Sequence, residues 1–322
     1  MIKVPRQIIA TAIALFALSA FAQQADWPTK PVRWVVPFAP GGSADAAARN
    51  IAQKLTERWG QQVLVDNRPG GHTAIAAVEV ARAAPDGYTL FQPINATLTL
   101  NQFILNKMPY DVQRDFTLIG TIVSVPQLIL ANDTLPAKTI LELVALAKAK
   151  PGSISMGNGS LGLQLSVERF VRDADIKVLS VPYKSGADMA KGLLSGEIQA
   201  GLDGSASYPP FIKTGKLRAL ATSNSKRIAS MPEVPTLAEL GFKNSETPLW
   251  HAVLAPAGLP PKIQKKIAAD LQAVLALPDL KERLGALGLE PWWQNADELT
   301  RLIKSESAYM GPLAKELGLK VE

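Results

Sequence analysis

The chain has 322 residues, of which 47% are hydrophobic, and carries a formal net charge of +6. At ~150 residues per domain, this length predicts two domains with sizeable cores. Cysteine is absent from the sequence, which excludes disulfides, thiolate metal sites and a cysteine nucleophile. The basic residues are dispersed and are not interleaved with aromatic residues, so nucleic-acid binding is not expected.

The first 22 residues have the layout of a secretory signal peptide. Lys3 and Arg6 precede an apolar run over residues 8–18, and Ala20-Phe21-Ala22 forms an A-x-A cleavage pattern. We therefore predict cleavage after Ala22 and a periplasmic mature protein. The apolar run is shorter than the roughly 20 residues that span a bilayer, and an uncleaved membrane anchor is the alternative.

A strand, a glycine loop and a helix are predicted over residues 34–55. The apolar run Trp34-Val35-Val36 stops at a Pro/Gly loop, and from Ala44 onward small and apolar residues recur at helical spacing. The N-terminus of a helix attracts anions, because its first N–H groups have no partners within the helix. Gly41 and Gly42 have no Cβ that would keep a carboxylate or phosphate away. The loop is therefore predicted to bind an anion.

Strands and helices alternate through the next part of the chain, which predicts an α/β fold with mostly parallel sheets. The predicted strands cover residues 63–65, 88–92, 117–123 and 127–131. The predicted helices cover residues 74–83 and 140–149.

In the middle third, strands over residues 154–156, 178–181 and 198–202 each end at a glycine- or serine-containing loop. Since ligands bind beyond the carboxyl ends of parallel strands, loops from two domains would face each other across a cleft. Residues Gly157–Gly162 match G-x-G-x-x-G, but the next strand ends without the carboxylate that a dinucleotide site needs. The segment is either a plain turn or a ligand loop that presents N–H groups and the Ser160 hydroxyl.

Helices after Pro261 and over residues 296–317 are predicted to return to the first domain. We therefore assign residues 23–124 and 252–322 to domain 1 and residues 125–251 to domain 2. The two crossovers then fall near residues 123–126 and 249–253, which are the candidate hinges.

Taken together, these segments closely resemble the Bug family, the solute-binding proteins of tripartite tricarboxylate transporters. The resemblance implies a fold like that of type II periplasmic binding proteins, with two α/β domains around an interdomain cleft and two crossovers. It covers nearly all of the predicted mature chain. The motifs that carry it are Pro37-Phe38-Ala39-Pro40-Gly41-Gly42-Ser43-Ala44-Asp45, Asn67-Arg68-Pro69-Gly70, Pro85-Asp86-Gly87-Tyr88-Thr89-Leu90, Val181-Pro182-Tyr183-Lys184, Gly215-Lys216-Leu217-Arg218-Ala219-Leu220-Ala221, Val234-Pro235-Thr236 and Ala255-Pro256-Ala257-Gly258.

The resemblance also implies a ligand and a site. The ligand would be a small organic carboxylate, held by loop backbone groups and ordered water, with no cofactor and no metal. The partners would be membrane transporter subunits or a sensor protein, and the receptor would be a monomer. Because Gly71-His72-Thr73-Ala74 replaces the family's usual glycine-rich run, the ligand is predicted to differ from the common dicarboxylates. The implied ligand-binding residues are Phe38, Ala39, Gly41, Gly42, Ser43, Asp45, Thr97, Ser155, Gly157, Asn158, Ser160 and Asp203.

An exported hydrolase is the alternative from a different class. The sequence has no G-x-S-x-G motif and only two histidines, so no base for Ser160 is apparent. Asp45 and Asp203 either face the cleft or cap backbone N–H groups. We therefore predict that the protein is not an enzyme.

The remaining conspicuous side chains also have ordinary structural interpretations. His72 and His251 are predicted to be surface or capping residues rather than metal ligands. Trp250 and the pair Trp292-Trp293 are predicted to pack in the core rather than stack on a ligand.

Overall fold

The structure of the protein is a computed structural model, and it describes residues 27–183 and 185–320. The predicted signal peptide and its cleavage site after Ala22 lie outside these residues. Within the described ranges, no helix is both long and apolar enough to cross a membrane.

The described residues form eleven strands, most of which are separated by helices, as the hydrophobic pattern predicts. In chain order the strands are β1 (Val32–Val36), β2 (Val63–Asn67), β3 (Thr89–Phe91), β4 (Phe116–Val125), β5 (Gln127–Asn132), β6 (Ser155–Asn158), β7 (Leu179–Pro182), β8 (Ala200–Gly204), β9 (Leu217–Thr222), β10 (Leu249–Pro256) and β11 (Glu290–Pro291).

The helices cover the faces of two sheets, and two short 3₁₀ turns lie at Gly71–Thr73 and Ser205–Ser207. In chain order the helices are α1 (Ser43–Trp59), α2 (Ala74–Ala81), α3 (Asn95–Thr99), α4 (Asn101–Ile104), α5 (Ile140–Ala149), α6 (Leu161–Asp173), α7 (Gly186–Ser195), α8 (Pro209–Lys213), α9 (Pro261–Leu275), α10 (Pro278–Ala286) and α11 (Ala296–Glu316).

The two sheets belong to two α/β domains. The first has the order β11-β4-β10-β3-β1-β2 and the second the order β7-β6-β8-β5-β9. In the first sheet β10 runs antiparallel to β3 and β4, and β11 runs antiparallel to β4; in the second sheet β5 runs antiparallel to β8 and β9. Both sheets are therefore mixed rather than mostly parallel. Strands β5 and β10 are those that follow the passages between the domains.

Each domain has its own hydrophobic core. In the first, Ala47, Ile51 and Leu55 of α1 lie one helical turn apart and are fully buried in a cluster with Trp34 of β1. In the second, the core includes Phe170 of α6 together with side chains of α5 and β8. The apolar stripe of each helix thus fixes which of its faces packs against the sheet.

The two passages between the domains lie side by side. Strand β4 leads into β5 through Pro126, and β10 pairs with β4 in a register that joins Leu249 to Val125 and His251 to Val123. Residues 249–251 are thus hydrogen-bonded into the first sheet. The division at residues 124 and 251 and the two candidate hinges remain predictions.

Candidate ligand-binding site

A cavity of about 300 Å³ lies between the two domains, within the size range of small-molecule sites. Its walls come from both domains, and apolar side chains make up much of them. The lining residues are Phe38, His72, Thr73, Ile94, Asn95, Ala96, Thr97, Leu100, Asn101, Ile104, Gln127, Ser160, Gly162, Leu163, Ser166, Thr247, Pro248, Leu249, Tyr309 and Met310.

Helices from both domains begin at this cavity. Thr73 precedes α2, and Ser160 is the N-cap of α6, where its Oγ accepts a hydrogen bond of 3.3 Å from the Leu163 N–H. Helix N-termini carry partial positive charge. Among the described residues that line the cavity, none is Lys, Arg, Asp or Glu. For an anion, these lining residues therefore offer helix N-termini and no cationic side chain.

The turn that leads into α2, residues Gly70–Thr73, has an unusual backbone. All four residues have positive φ, at 117°, 56°, 49° and 75°, a conformation that non-glycine residues such as His72 rarely adopt. Hydrogen bonds hold the turn in place. Thr73 Oγ1 lies 2.8 Å from Thr97 Oγ1, and Asn101 Nδ2 donates to the His72 carbonyl at 2.7 Å. Strained backbone of this kind is typical of functional sites.

The structure brings three of the implied ligand-binding residues to the cavity wall, namely Phe38, Thr97 and Ser160. Four others lie at the exposed start of α1, outside the cavity lining, and stay predicted ligand-binding residues. These are Ala39, Gly41, Gly42 and Ser43.

Asp45 is buried beneath the same loop. Burial alone would raise the pKa of this carboxyl, but hydrogen bonds from Arg49 and from the Gly41 N–H outweigh it and hold the pKa below its usual value. Oδ2 accepts both of these bonds at 3.0 Å. This geometry agrees with the capping alternative for Asp45.

Two side chains of the second predicted loop bond within their own domain. Ser155 Oγ donates to Gln199 Oε1 at 2.7 Å, and Asn158 Nδ2 donates to Ser180 Oγ at 3.3 Å. A Cβ on Gly157 would lie 2.5 Å from Cδ1 of Ile198, so this glycine allows close packing. The binding role of these residues stays a prediction.

Asp203 also lies outside the cavity lining. Its Oδ2 accepts a hydrogen bond of 2.6 Å from the Tyr208 hydroxyl, and burial raises the pKa of the carboxyl. A Cβ on Gly186 would lie 2.1 Å from the same oxygen. Asp203 therefore packs against the start of α7, and its predicted contact with a ligand is untested.

Several lining residues were missed by the sequence analysis. Asn95 and Asn101 follow the carboxyl end of β3, where polar side chains are a recognisable signal. Thr247 and Tyr309 gave no signal, because they reach the cavity from parts of the chain far beyond the predicted loop at Thr97.

A buried carboxylate lies behind Asn95. Glu306 of α11 accepts a hydrogen bond of 2.6 Å from Trp250 Nε1 and a longer one of 3.4 Å from Asn95 Nδ2. Burial raises the pKa of Glu306 to about 7. The tryptophan is fully buried in the first domain, as predicted, and Trp292 and Trp293 pack against the cores of that domain.

The two histidines differ in their position in the structure. His251 is 2% exposed and its Nδ1 lies 3.2 Å from Gln92 Nε2, so the predicted surface or capping position is wrong for this residue. Burial lowers the pKa of His251 to about 4, which keeps the ring neutral. His72 lies in the left-handed turn at the cavity. Throughout residues 27–183 and 185–320, no group of three or more His, Cys, Asp or Glu is placed to hold a metal ion.

Two α/β domains, two adjacent passages and a ligand-sized cavity between the domains define a two-domain solute-binding protein of the periplasmic type. The model of the tripartite tricarboxylate transporter family receptor matches residues 47–319. Protein BugT of Bordetella pertussis is 31% identical over 318 residues, which are 98% of this chain and 98% of the relative.

Solved structures agree with the sequence matches. R. palustris Rpa4515 with adipate is 32% identical, with a TM-score of 0.76 over 92% of this chain and 100% of that chain. The periplasmic binding protein BugD is also 32% identical, with a TM-score of 0.72 over 92% and 100% of the two chains. This chain belongs to the tripartite tricarboxylate transporter receptor family, and its resemblance to the Bug proteins is confirmed.

Proposed function

We propose that this protein captures a small organic carboxylate in the interdomain cavity and delivers it to the membrane subunits of a tripartite transporter. The observation that carries the proposal is the meeting of two helix N-termini, those of α2 and α6, at a cavity wall without cationic side chains. Such a site stabilises one anion through backbone N–H groups. The structure of the similar protein Rpa4515 with adipate supports a carboxylate as the ligand class.

The proposal includes release of the ligand without chemical change. The family and the structural neighbours of this chain are solute-binding proteins. In the predicted site, Ser160 carries the hydroxyl that most resembles the nucleophile of a hydrolase. Its Oγ accepts a hydrogen bond from the Leu163 N–H and caps α6. A serine used in this way is a capping residue, and without a base it stays an ordinary hydroxyl at neutral pH.

A thermal-shift screen tests the ligand class. Mono- and dicarboxylates of four to eight carbons are compared with the matching primary amides, which keep the shape and lose the charge. A carboxylate at 100 times its dissociation constant stabilises the protein by ~2.7 kcal/mol, and the amide should give no shift. Mass spectrometry of the recovered compound should show it unchanged. Stabilisation by none of the acids, or turnover of the bound acid, contradicts the proposal.

Export and delivery are tested in cells. The mature protein should begin at Gln23 and be released by osmotic shock as a monomer. Uptake of the identified ligand should stop when the protein is deleted and return when it is restored. Normal uptake combined with a lost transcriptional response to the ligand would instead indicate a sensor as the partner.

A further inference from the structure

The apolar residues of the cavity wall keep accessible surface, whereas most of its polar residues do not. Among the Asn, Gln, Ser and Thr residues of the described lining, only Ser160 is exposed, and each of the others is at most 7% exposed. His72 is exposed as well. A ligand in the cavity therefore meets a mainly apolar surface. The apolar and aromatic lining residues that are partly exposed are Phe38, Ile94, Ala96, Pro248, Leu249 and Tyr309.

Buried polar side chains of the wall also make hydrogen bonds within the protein. The Oγ1 atoms of Thr73 and Thr97 lie 2.8 Å apart. Ser166 Oγ donates to the Gly162 carbonyl at 3.3 Å. A second charged group of a ligand would have to compete with these bonds, and breaking one of them leaves a buried polar group without a partner.

The two exposed polar residues lie where helices begin. Ser160 is the N-cap of α6, and His72 lies in the turn that precedes α2. The first N–H groups of a helix attract an anion. Gly162, the second residue of α6, lines the cavity, and a Cβ built on it would meet no atom within 4 Å. The start of α6 therefore has room for a carboxylate.

The charges near Tyr309 disfavour a second anion at the opposite kind of surface, the apolar wall. Glu306 lies one turn before Tyr309 on α11 and is 3% exposed. Burial and the Glu306 carboxylate raise the pKa of the Tyr309 hydroxyl, against the opposing effect of Arg169. The Arg169 guanidinium lies 3.9 Å from the ring centre of Tyr309, and Arg169 lines a neighbouring surface pocket instead of the cavity. A negative charge is therefore disfavoured at this part of the wall.

We infer that the ligand is a monocarboxylate with an apolar body, and that the apolar wall discriminates against a second charge. The inference rests on the proposed function and narrows its ligand class. The single carboxylate lies at the helix starts, and the apolar body covers the partly exposed apolar side chains. A diacid would bring its second carboxylate against apolar side chains or toward Glu306, and burial of a charge without a partner is costly.

Calorimetry with matched acids tests the inference. For each length from four to eight carbons, the monoacid is compared with the α,ω-diacid and with the half-amide of that diacid, which keeps its size and carries one charge. Benzoate is compared with terephthalate. In the series that binds most tightly, the monoacid should bind about tenfold more tightly than the diacid, with the half-amide between them. Equal or tighter binding of the diacid overturns the inference.

Lysine variants then assign the discrimination to the apolar wall. Leu249→Lys places an ammonium group in the lining, so the affinity ratio of diacid to monoacid should rise by about tenfold. Ile94→Lys repeats the test at a second partly exposed position. Leu64→Lys is the matched control, because Leu64 is 50% exposed on β2 and lies outside the cavity lining. Its ratio should stay at the wild-type value.

The outcomes separate the two proposals. Melting temperatures without ligand identify the lysine variants that fold, and an unchanged ratio in a folded variant at Leu249 or Ile94 overturns the assignment to this wall. Preferred binding of diacids by the wild-type protein overturns the inference and leaves the proposed function standing. Failure of every acid to bind contradicts the proposed function itself.

Discussion

At the scale of single residues, Gly41 and Gly42 are adjacent but differ in what they require of the backbone. Gly41 has a φ of +91°, whereas Gly42 has a φ of −80° and a ψ of 172°, which any residue adopts. No atom lies within 4 Å of a Cβ built on either glycine. A side chain at Gly42 would therefore meet no steric obstacle from the fold.

If the ligand carboxylate extends to the start of α1, as the sequence predicts, Gly42→Val should weaken binding by about tenfold, or ~1.4 kcal/mol. Its melting temperature without ligand should fall only slightly, because Gly42 is the N-cap of α1 and valine caps a helix less well than glycine. Gly41→Ala is the contrasting variant, since the left-handed backbone should cost it roughly 1 kcal/mol of stability. Calorimetry and thermal melts measure the two effects. Unchanged affinity in Gly42→Val would confine the site to the other loops.

Glu306 gives a residue-scale prediction about pH. Because burial raises its pKa from 4.5 to about 7, the folded state holds this proton more tightly than the unfolded state. The resulting stabilisation is fully present below pH 4.5 and is lost as the pH rises to 7, by about 3 kcal/mol. Glu306→Gln cannot ionise, so its stability should fall less over this range.

Urea denaturation at about pH 4.5 and about pH 8 measures the difference between Glu306→Gln and the wild type. Glu282→Gln, on an exposed part of α10, is the control and should follow the wild-type curve. If the stability of Glu306→Gln and that of the wild type changed equally between the two pH values, Glu306 would have the same pKa in the folded and unfolded chains.

At the scale of elements, the hydroxyl of Thr97 contacts the left-handed turn before α2. This hydroxyl is fully buried and lies 2.8 Å from Thr73 Oγ1. Thr97→Val keeps the volume and removes the hydrogen bond, so it should lower stability by about 1 kcal/mol and increase amide exchange over Gly70–Thr73. Thr300→Val on the exposed face of α11 is the matched control. Wild-type exchange in Thr97→Val would mean that the turn is held by its other contacts.

Local sequence signals predicted some elements better than others. Helix α5 covers residues 140–149 as predicted, because Thr139 caps it by accepting the Glu142 N–H at 3.2 Å. Helix α11 begins at a capping box formed by Asn295 and Glu298. Strand β3 covers residues 89–91, whereas residues 88–92 were predicted. Its ends are set by pairing with β1 and β10, which no local pattern records.

At the scale of the whole molecule, helices α6 and α11 hold the two domains together beside the cavity. Arg172 donates to both carboxylate oxygens of Glu316 at 2.7 Å, and the guanidinium of Arg169 lies 3.9 Å from the ring centre of Tyr309. Leu165 is buried in an apolar cluster of the other domain. Because the Arg172–Glu316 ion pair is exposed, Leu165 should contribute most of the free energy of this contact between the domains.

We expect Leu165→Ala to weaken domain closure and raise the dissociation constant of the ligand by about tenfold. Truncation of a buried leucine costs ~2–5 kcal/mol, so stability will fall as well. Leu143→Ala is the control, because Leu143 is equally buried but lies in the core of the second domain alone. It should lose stability and keep its affinity. Small-angle scattering should show a larger radius of gyration for Leu165→Ala. Wild-type affinity in this variant would contradict a role in closure.

The sequence by itself determined the family, the two-domain α/β class and the strand-to-helix loops, because these depend on hydrophobic period, turn residues and ordered local motifs. Only the tertiary structure decided which side chains meet at the cavity. Phe38, Thr97 and Ser160 reach it, whereas Ser155 and Asp203 bond within their own domain. Thr247 and Tyr309 join the wall from distant segments. The physical reason is that strand order and domain packing bring together residues that are far apart in the chain, and local sequence patterns carry no information about such contacts.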